Sequence, residues 1–379
     1  MSLLNKKDKS MQKKRLAIIG ANESICILIE KAKSLGYETH VFAWKCGDPG
    51  ERIADFFYPI DISEKDRILE ICKKIDVCGV CSITSDYAAP IVAYISRHLA
   101  LPSNPEITDL ISRNKYEMRK AFKHFGGIYS PKFCEVGEYY DIDTVMKTFN
   151  MPVIIKPTDR WSSKGITRVD KVDDLPKAIE YAIKESIEKK AIIEDFIEGP
   201  EFSAECIVKN GRVYILAFTE KITTGYPHYI EKGHIQPAKI PFNKDKYIRR
   251  IISKAVKSLS IKNSAAHVEF RIMNNGKIGF MEIGARMGGD CIGTDLTPKS
   301  TGLDYVKMVI DVACGNKLDF SKKKIKEKIT VKFIIDRDDY EDFKTIDSNR
   351  IIKKSDFDLN FTKEVIDSST RHGFYIYRG

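Results

Sequence analysis

Several features that would settle a class at once are missing from this chain of 379 residues. There is no run of eighteen apolar residues, so hydropathy gives no membrane-spanning helix. The opening stretch MSLLNKKDKSMQKKR has no apolar core of a secretory signal. A cytoplasmic location is therefore expected, with no membrane partner and with residues 1–13 as a polar tail or expression remnant. The nine cysteines form no disulfide framework. Cys78 and Cys81 stand at C-x-x-C spacing but have no second such pair and no nearby histidine pair, so they read as a buried strand end rather than a zinc or redox site. The turn after the first strand is GANES rather than G-x-G-x-x-G, and the dinucleotide fingerprint is absent. No internal repeat is found, and no nucleophilic serine or cysteine is evident.

What is present is ordinary for a soluble globular protein of two or three domains: 43% hydrophobic residues and 31% charged. Much of the formal charge of +10 comes from Lys6, Lys7, Lys9, Lys13 and Lys14 and from KKKIKEK at 322–328. These read as solvated charge runs. Basic and aromatic residues do not interleave in the way that tracks a strand, so nucleic acid is not the expected partner.

From Arg15 the chain alternates strands (RLAIIG, ETHVFAW, VCGVCSI) with helices (SICILIEKAKSLG, around EKDRILEICKKI, around APIVAYISRHLA). That order predicts a parallel sheet covered on both faces by helices, Rossmann-like without its cofactor and ending near LPSNPE. Ligands in such sheets sit at the carboxyl ends of the strands, which makes Gly20, Asn22 and Glu23 candidates for a pocket wall. Residues 105–150 are expected to be mainly helical, with Lys115 inside a helix that Gly126 and Gly127 end. A strand MPVIIKP, a small polar loop TDRWSSKGITRV, a helix near 174–189 and a strand AIIEDFI follow. Asn210-Gly211 then joins two strands, a helix spans about 244–259, and a second hairpin closes on Asn275-Gly276.

The residues 267–284, HVEFRIMNNGKIGFMEIG, carry the sharpest pattern. Counting outward from Asn275-Gly276 sets Asn274 against Lys277, Ile272 against Gly279, Phe270 against Met281 and Glu269 against Glu282. One face then holds Val268, Phe270, Ile272, Met281 and Ile283 for a core. The other holds His267, Glu269, Arg271, Phe280 and Glu282. Directly opposed carboxylates repel unless a cation lies between them, and hard oxygens at this spacing suit magnesium or manganese. The alternative is an exposed acidic pair partly neutralised by Arg271. Arg286, four residues beyond Glu282, has the forked guanidinium that suits a carboxylate or phosphate. Lys156 ends the strand VIIKP, and the backbone of the SSKG that follows can fold over a phosphate.

In this order, Lys115, Lys156 in VIIKP, the SSKG loop, IIEDFIEGPEF and the HVEF/FMEIGAR pair resemble the ATP-grasp superfamily over about residues 15–315. The version EIGARMGGD resembles its amino-acid and dipeptide ligases, beside the carbamoyl phosphate synthase-like members. The resemblance implies an α/β and α+β fold: a Rossmann-like pre-ATP-grasp domain at 14–104, a small lobe with linker helices at 105–190, a large lobe at 191–315 and a C-terminal module at 316–379. It implies that Lys115 and Lys156 contact ATP phosphates and that Ser162, Ser163, Lys164 and Gly165 cover them. Glu194, Phe196 and Ile197 would form the adenine hinge, Glu201 would hold the ribose, Glu269 and Glu282 would bind Mg2+ or Mn2+, and Arg286 would stabilise an acyl phosphate. Lys221, His228, Glu231 and His234 become candidates for the substrate wall, with His234 one possible acceptor of the amine proton. One departure is Gly284, where many members have asparagine as a further metal ligand.

The implied reaction is ATP-dependent ligation of a small-molecule carboxylate to an amine, one of them amino-acid-like, through an acyl phosphate. A homodimer is compatible with this reading. The rivals are a bicarbonate-phosphorylating carboxylase or carbamoyl phosphate synthase-like enzyme, and a nucleotide-binding regulatory protein without turnover.

Overall fold

Every residue from Leu16 to Ile19 is shielded from solvent in the computed structural model, which describes residues 13–160, 163–226, 229–322, 327–361 and 364–379. These residues form β1 (Arg15–Ile19), which pairs in parallel with β2 (Glu38–Ala43) and β4 (Gly79–Cys81); β3 (Phe56–Pro59) pairs with β2, giving the order β3-β2-β1-β4. A central parallel strand buries both faces, which accounts for its unbroken apolar run. Leu16 and Ile18 join one core and Ala17 and Ile19 the other. The helix Glu23–Ser34 starts where the Asn22 side chain accepts the Ile25 amide, an N-cap. Cys81 is buried in β4, as expected, while Cys78 faces Cys314 with 3.8 Å between the sulfurs.

The second sheet is antiparallel, in the order β5-β8-β6-β7, with β5 at Phe133–Val136, β6 at Val153–Pro157, β7 at Thr167–Val169 and β8 at Ala191–Asp195. Its apolar face packs on the helix Leu175–Glu185. The stretch 105–150 is less helical than expected: β5 lies between the helices Lys115–Phe125 and Ile142–Thr148. Four residues with one apolar position facing inward give too short an alternation to register as a strand.

The third sheet has eight strands, β13-β12-β9-β10-β11-β14-β16-β15. They are β9 (Glu201–Lys209), β10 (Arg212–Thr223), β11 (Glu231–Gln236), β12 (Ser264–Ile272), β13 (Ile278–Gly284), β14 (Ile329–Phe333), β15 (Ile351–Lys354) and β16 (Phe374–Arg378). The residues 316–379, expected as a C-terminal module, thus contribute three strands to this eight-stranded sheet, with β14 pairing β11. The helix Asp245–Ser258 covers one face through Ile248, Ile252 and Val256. Tyr305 and Ile310 of the helix Tyr305–Ala313 join the core that also holds Ile18 and Ile207, so first domain and large lobe share packing.

Two Asn-Gly pairs make two different turns. Asn210 and Gly211 both have positive φ (51° and 73°), and Arg212 pairs Lys209 across a two-residue loop, the mirror-image turn that matches strand twist. At the second site Gly276 has positive φ and Asn275 does not. Gly276 N–H donates to Met273 O, and Met273 N–H donates to Lys277 O. The loop is one residue longer, so Phe270 pairs Phe280 rather than Met281, and Ile272 pairs Ile278 rather than Gly279. A bulge at Met281 then restores the count, and Glu269 does pair Glu282. The expected faces change accordingly: Phe280 and Ile278 enter the core and Met281 leaves it.

Candidate functional site

Glu269 and Glu282 lie opposite each other on β12 and β13, and lysines from two other elements answer their repulsion. Lys221 Nζ on β10 lies 2.8 Å from Glu269, 3.3 Å from Glu201 and 3.5 Å from Glu231. Burial works against its charge, but the three carboxylates outweigh this and hold its pKa well above the usual lysine value. Lys115 Nζ lies 3.2 Å from Glu282 and donates to Arg160 O. Burial likewise opposes ionisation of Glu269, yet Lys221 and His267 pull its pKa well below the carboxylate range. His267 bridges Glu205 and Glu269, with Nε2 3.0 Å from the latter; burial lowers its pKa, and Glu205 and Glu269 more than reverse this, to about 9. Arg271 is not the neutraliser: both its Nε and its Nη2 bond Glu201, at 3.1 and 2.9 Å.

Glu194 is buried at the centre of a second charged group. Lys156 Nζ lies 3.0 Å away, and Arg119 reaches both carboxylate oxygens. Burial raises its pKa, but Arg119 and Lys156 bring it down to about 2. Burial lowers that of Lys156. Arg119 also donates to Met281 O at 3.1 Å, so the bulge before Glu282 is tied to the small lobe. Arg119 lay outside the expected set. Its signal was present, since it follows Lys115 by four residues and shares its helix face.

The expected hinge residues have distinct surroundings. The backbone of Glu194 sits between β5 and β6. Phe196 lies under the Arg168 guanidinium at 4.3 Å and beside Tyr229, with ring centroids 5.8 Å apart. Ile197 is buried, and its carbonyl accepts from Arg271 at 2.8 Å. A Cβ at Gly279 would meet Ile197 at 2.6 Å, so that glycine makes room for it. Glu201, expected to hold the ribose, is paired with Arg271 and Lys221.

Ser163 and Gly165 both have positive φ, at 59° and 70°. Ser163, Ile166 and Arg160 line a cavity of about 90 Å³ with Glu269, Glu282 and Arg286. The loop therefore lies over the carboxylate pair, with Lys164 3.9 Å from Asp367. Ser162 and His228 lie outside the described residues. Among the described residues no group of three or more acidic, histidine or cysteine side chains is placed to hold a metal by itself.

Arg286 is gripped by both oxygens of Asp86, at 2.9 and 2.6 Å. Burial opposes its charge, and Asp86 raises its pKa above the ordinary arginine value. A Cβ at Gly284 would stand 3.0 Å from Asp86 Oδ1 and 3.3 Å from Arg286, so the departure at Gly284 has a local cause: the Asp86–Arg286 pair occupies that space. Beyond it lies a cavity of about 420 Å³ walled by Asn22, Asp86, Lys221, Glu231, His234 and Asp290, among others. Gly20 lines a neighbouring cavity at the strand ends of the first sheet, also with Asn22. His234 is buried with neither ring nitrogen hydrogen-bonded, its Nε2 3.7 Å from Asp290. The last strands contribute as well: Arg371 holds Asp290 at 2.7 and 3.1 Å, and Ser368 donates to Glu231.

Residues 149–295 match the family model described as ATP-grasp domain. The alanine–anticapsin ligase of Bacillus subtilis (strain 168) is 27% identical over 299 residues, 70% of this chain and 62% of that protein. A D-alanine–D-alanine ligase of Flavobacterium psychrophilum is 28% identical over 162 residues, 41% of this chain and 48% of that protein. The chain thus spans under two thirds of the length of these curated relatives. The crystal structure of an L-amino acid ligase from Bacillus licheniformis superposes with a TM-score of 0.79 at 23% identity, covering 97% of this chain and 93% of that one. No helix among the described residues is long and apolar enough to cross a membrane.

Proposed function

We propose that this chain, whose residues 149–295 match the ATP-grasp domain model, is an ADP-forming carboxylate–amine ligase that makes an amide or peptide bond with an amino-acid-like substrate. One observation carries the reading: Glu269 opposes Glu282, and both face a small cavity that Arg286, Arg160, Ser163 and Ile166 also line. Two carboxylates whose counter-ions are lysines suit a divalent cation that takes its remaining ligands from phosphate and water. Mg2+ held by Glu269 and Glu282 would offset charge on the phosphate oxygens.

The rest is work for the chain's own residues. Lys115, Lys156 and the loop around Ser163 hold the triphosphate, with Phe196 and Ile197 against the base. Arg286, kept charged and oriented by Asp86, receives the acid's carboxylate and stabilises the developing negative charge. The carboxylate attacks the γ-phosphorus, giving an acyl phosphate and ADP. An amine then displaces phosphate. Positioning and electrostatics suffice, without a protein nucleophile.

Incubation with ATP, magnesium and paired amino acids is expected to release ADP and phosphate only when both an acid and an amine are supplied. Glu282→Gln is expected to abolish that release while circular dichroism stays unchanged. ADP release driven by bicarbonate alone, or full activity in Glu282→Gln, would overturn the reading.

A further inference from the structure

Three cavities stand in sequence along the large lobe. The small one over Glu269 and Glu282 shares Glu231, His267, Glu269 and Arg286 with the central cavity. The central cavity in turn shares Ser24, Thr84, Gly289, Asp290 and Ser368 with a third chamber of about 320 Å³. The first and third share no lining residue. If the phosphoryl group sits at the first and the acid at Arg286, the acyl carbon has its leaving group on one side and the third chamber on the other.

The chemistry of that chamber suits a zwitterion. Its charged walls are two cations, Arg371 and Lys353, and two carboxylates, Glu23 and Asp290. Arg371 is fixed by Asp290 and by the Phe333 ring, 3.6 Å from its guanidinium. Lys353 is exposed, and its ammonium lies 3.4 Å from Asp295. At the junction with the central cavity stands Asp290, next to the unpartnered His234 ring. Two further cavities among the described residues share lining with the central one. That at the strand ends of the first sheet has Asp48 and Asp61 as its charged lining residues and offers a carboxylate nothing to pair with. That beside β4 has Arg286 alone, which Asp86 already holds and which is assigned to the acid.

We infer that the third chamber is the subsite for the amine substrate, an amino acid whose carboxylate is held by Arg371 and Lys353 and whose ammonium points to Asp290 and His234. This rests on the ligase reading above. The ammonium gives one proton to His234. The nitrogen lone pair then forms the C–N bond, the C–O bond to phosphate breaks with its electrons, and the departing phosphate takes the second nitrogen proton. His234 returns its proton to solvent.

The test separates acid activation from amine capture. Hydroxylamine intercepts an acyl phosphate without needing a subsite, so hydroxamate reports the first step and amide the second. With ATP, magnesium, an accepted acid and each common amino acid in turn as amine, Lys353→Met and Arg371→Met are expected to raise the KM for the amine tenfold or more. The ratio of amide to hydroxamate is expected to fall by a similar factor. Lys353→Met alters an exposed side chain and guards against a folding defect in the other variant. An unchanged ratio in both variants, or hydroxamate falling in step with amide, would overturn the assignment. In the latter case the chamber would be serving the acid. Absence of both products from the unaltered protein would overturn the ligase reading and the subsite with it.

Discussion

Asp86 and Arg286, 200 positions apart in the chain, meet in a two-pronged ion pair with contacts of 2.9 and 2.6 Å. The first domain thereby holds the arginine that faces the central cavity, and that cavity is walled by residues of both parts. Removing one member of this half-buried pair leaves the other charge poorly compensated, at a cost between about 1 kcal/mol for an exposed pair and about 5 kcal/mol for a fully buried one. Asp86→Ala is expected to lower the unfolding free energy by an amount in that range and to slow ADP release at least tenfold. Urea unfolding checks the first and a coupled ADP assay the second; a stability change below about 1 kcal/mol, the size of an exposed pair, would refute it.

A methyl group at Gly284 would press on that same pair, since its Cβ would stand 3.0 Å from Asp86 Oδ1. Gly284→Ala is expected to reduce kcat several-fold, and Gly284→Asn to reduce it further. The double variant Gly284→Ala/Asp86→Ala should be no worse than Asp86→Ala alone. Simple addition of the two effects would show that the sites act independently.

Lys221 is the counter-ion of three carboxylates, Glu201, Glu231 and Glu269. Lys221→Met is expected to destabilise the protein by about 3 kcal/mol or more. Magnesium is expected to restore part of that loss by taking up charge at Glu269. Thermal unfolding with and without the ion measures both, and equal shifts in the two conditions would place the metal elsewhere.

Glu194 gives a pH signature. Its pKa falls from 4.5 to about 2 on folding, because Arg119 and Lys156 overcome its burial. A depressed carboxylate pKa adds stability that is complete above the unfolded value and is lost as pH falls through the folded one. The stability gap between the natural protein and Glu194→Gln is therefore expected to narrow from pH 4.5 toward pH 2, by on the order of 3 kcal/mol. A gap that stays constant over that window would mean that Glu194 is not stabilised as an anion.

Arg119 joins Glu194 to the Met281 carbonyl, a fork that a lysine cannot reproduce. Arg119→Lys is expected to raise the KM for ATP roughly tenfold, about 1.4 kcal/mol, with a smaller change in kcat. Initial rates over a range of ATP concentrations decide this, and a fall confined to kcat would exclude a part in nucleotide binding.

Local pattern made much of the fold legible: β1, β6, β8 and both Asn-Gly hairpins follow from alternation and turn chemistry. The opposition of Glu269 and Glu282 was read correctly through two departures that cancel, a loop one residue longer and a bulge one residue later. A two-residue turn and a three-residue turn can both carry Asn-Gly, and the dipeptide alone does not choose between them. Asp86, Arg119, Asp290 and Arg371 were not legible, because each acts through a partner that tertiary packing brings to it. The residues 316–379 were legible only as a C-terminal module, because their place in the eight-stranded sheet depends on β14 finding β11, a long-range pairing with no local signature.

The position of the carboxylate pair at the end of the eight-stranded sheet sets an asymmetry between its members. Glu269 stands on β12, hydrogen-bonded on one side to β9 and on the other to β13. Glu282 stands on β13, the edge strand, whose outer side is tethered by Arg119 at Met281. An edge strand opens more readily than an interior one, so amide exchange is expected to be faster along 278–284 than along 264–272. The interior glutamate serves as the fixed jaw of a vise and the edge glutamate as the sliding one.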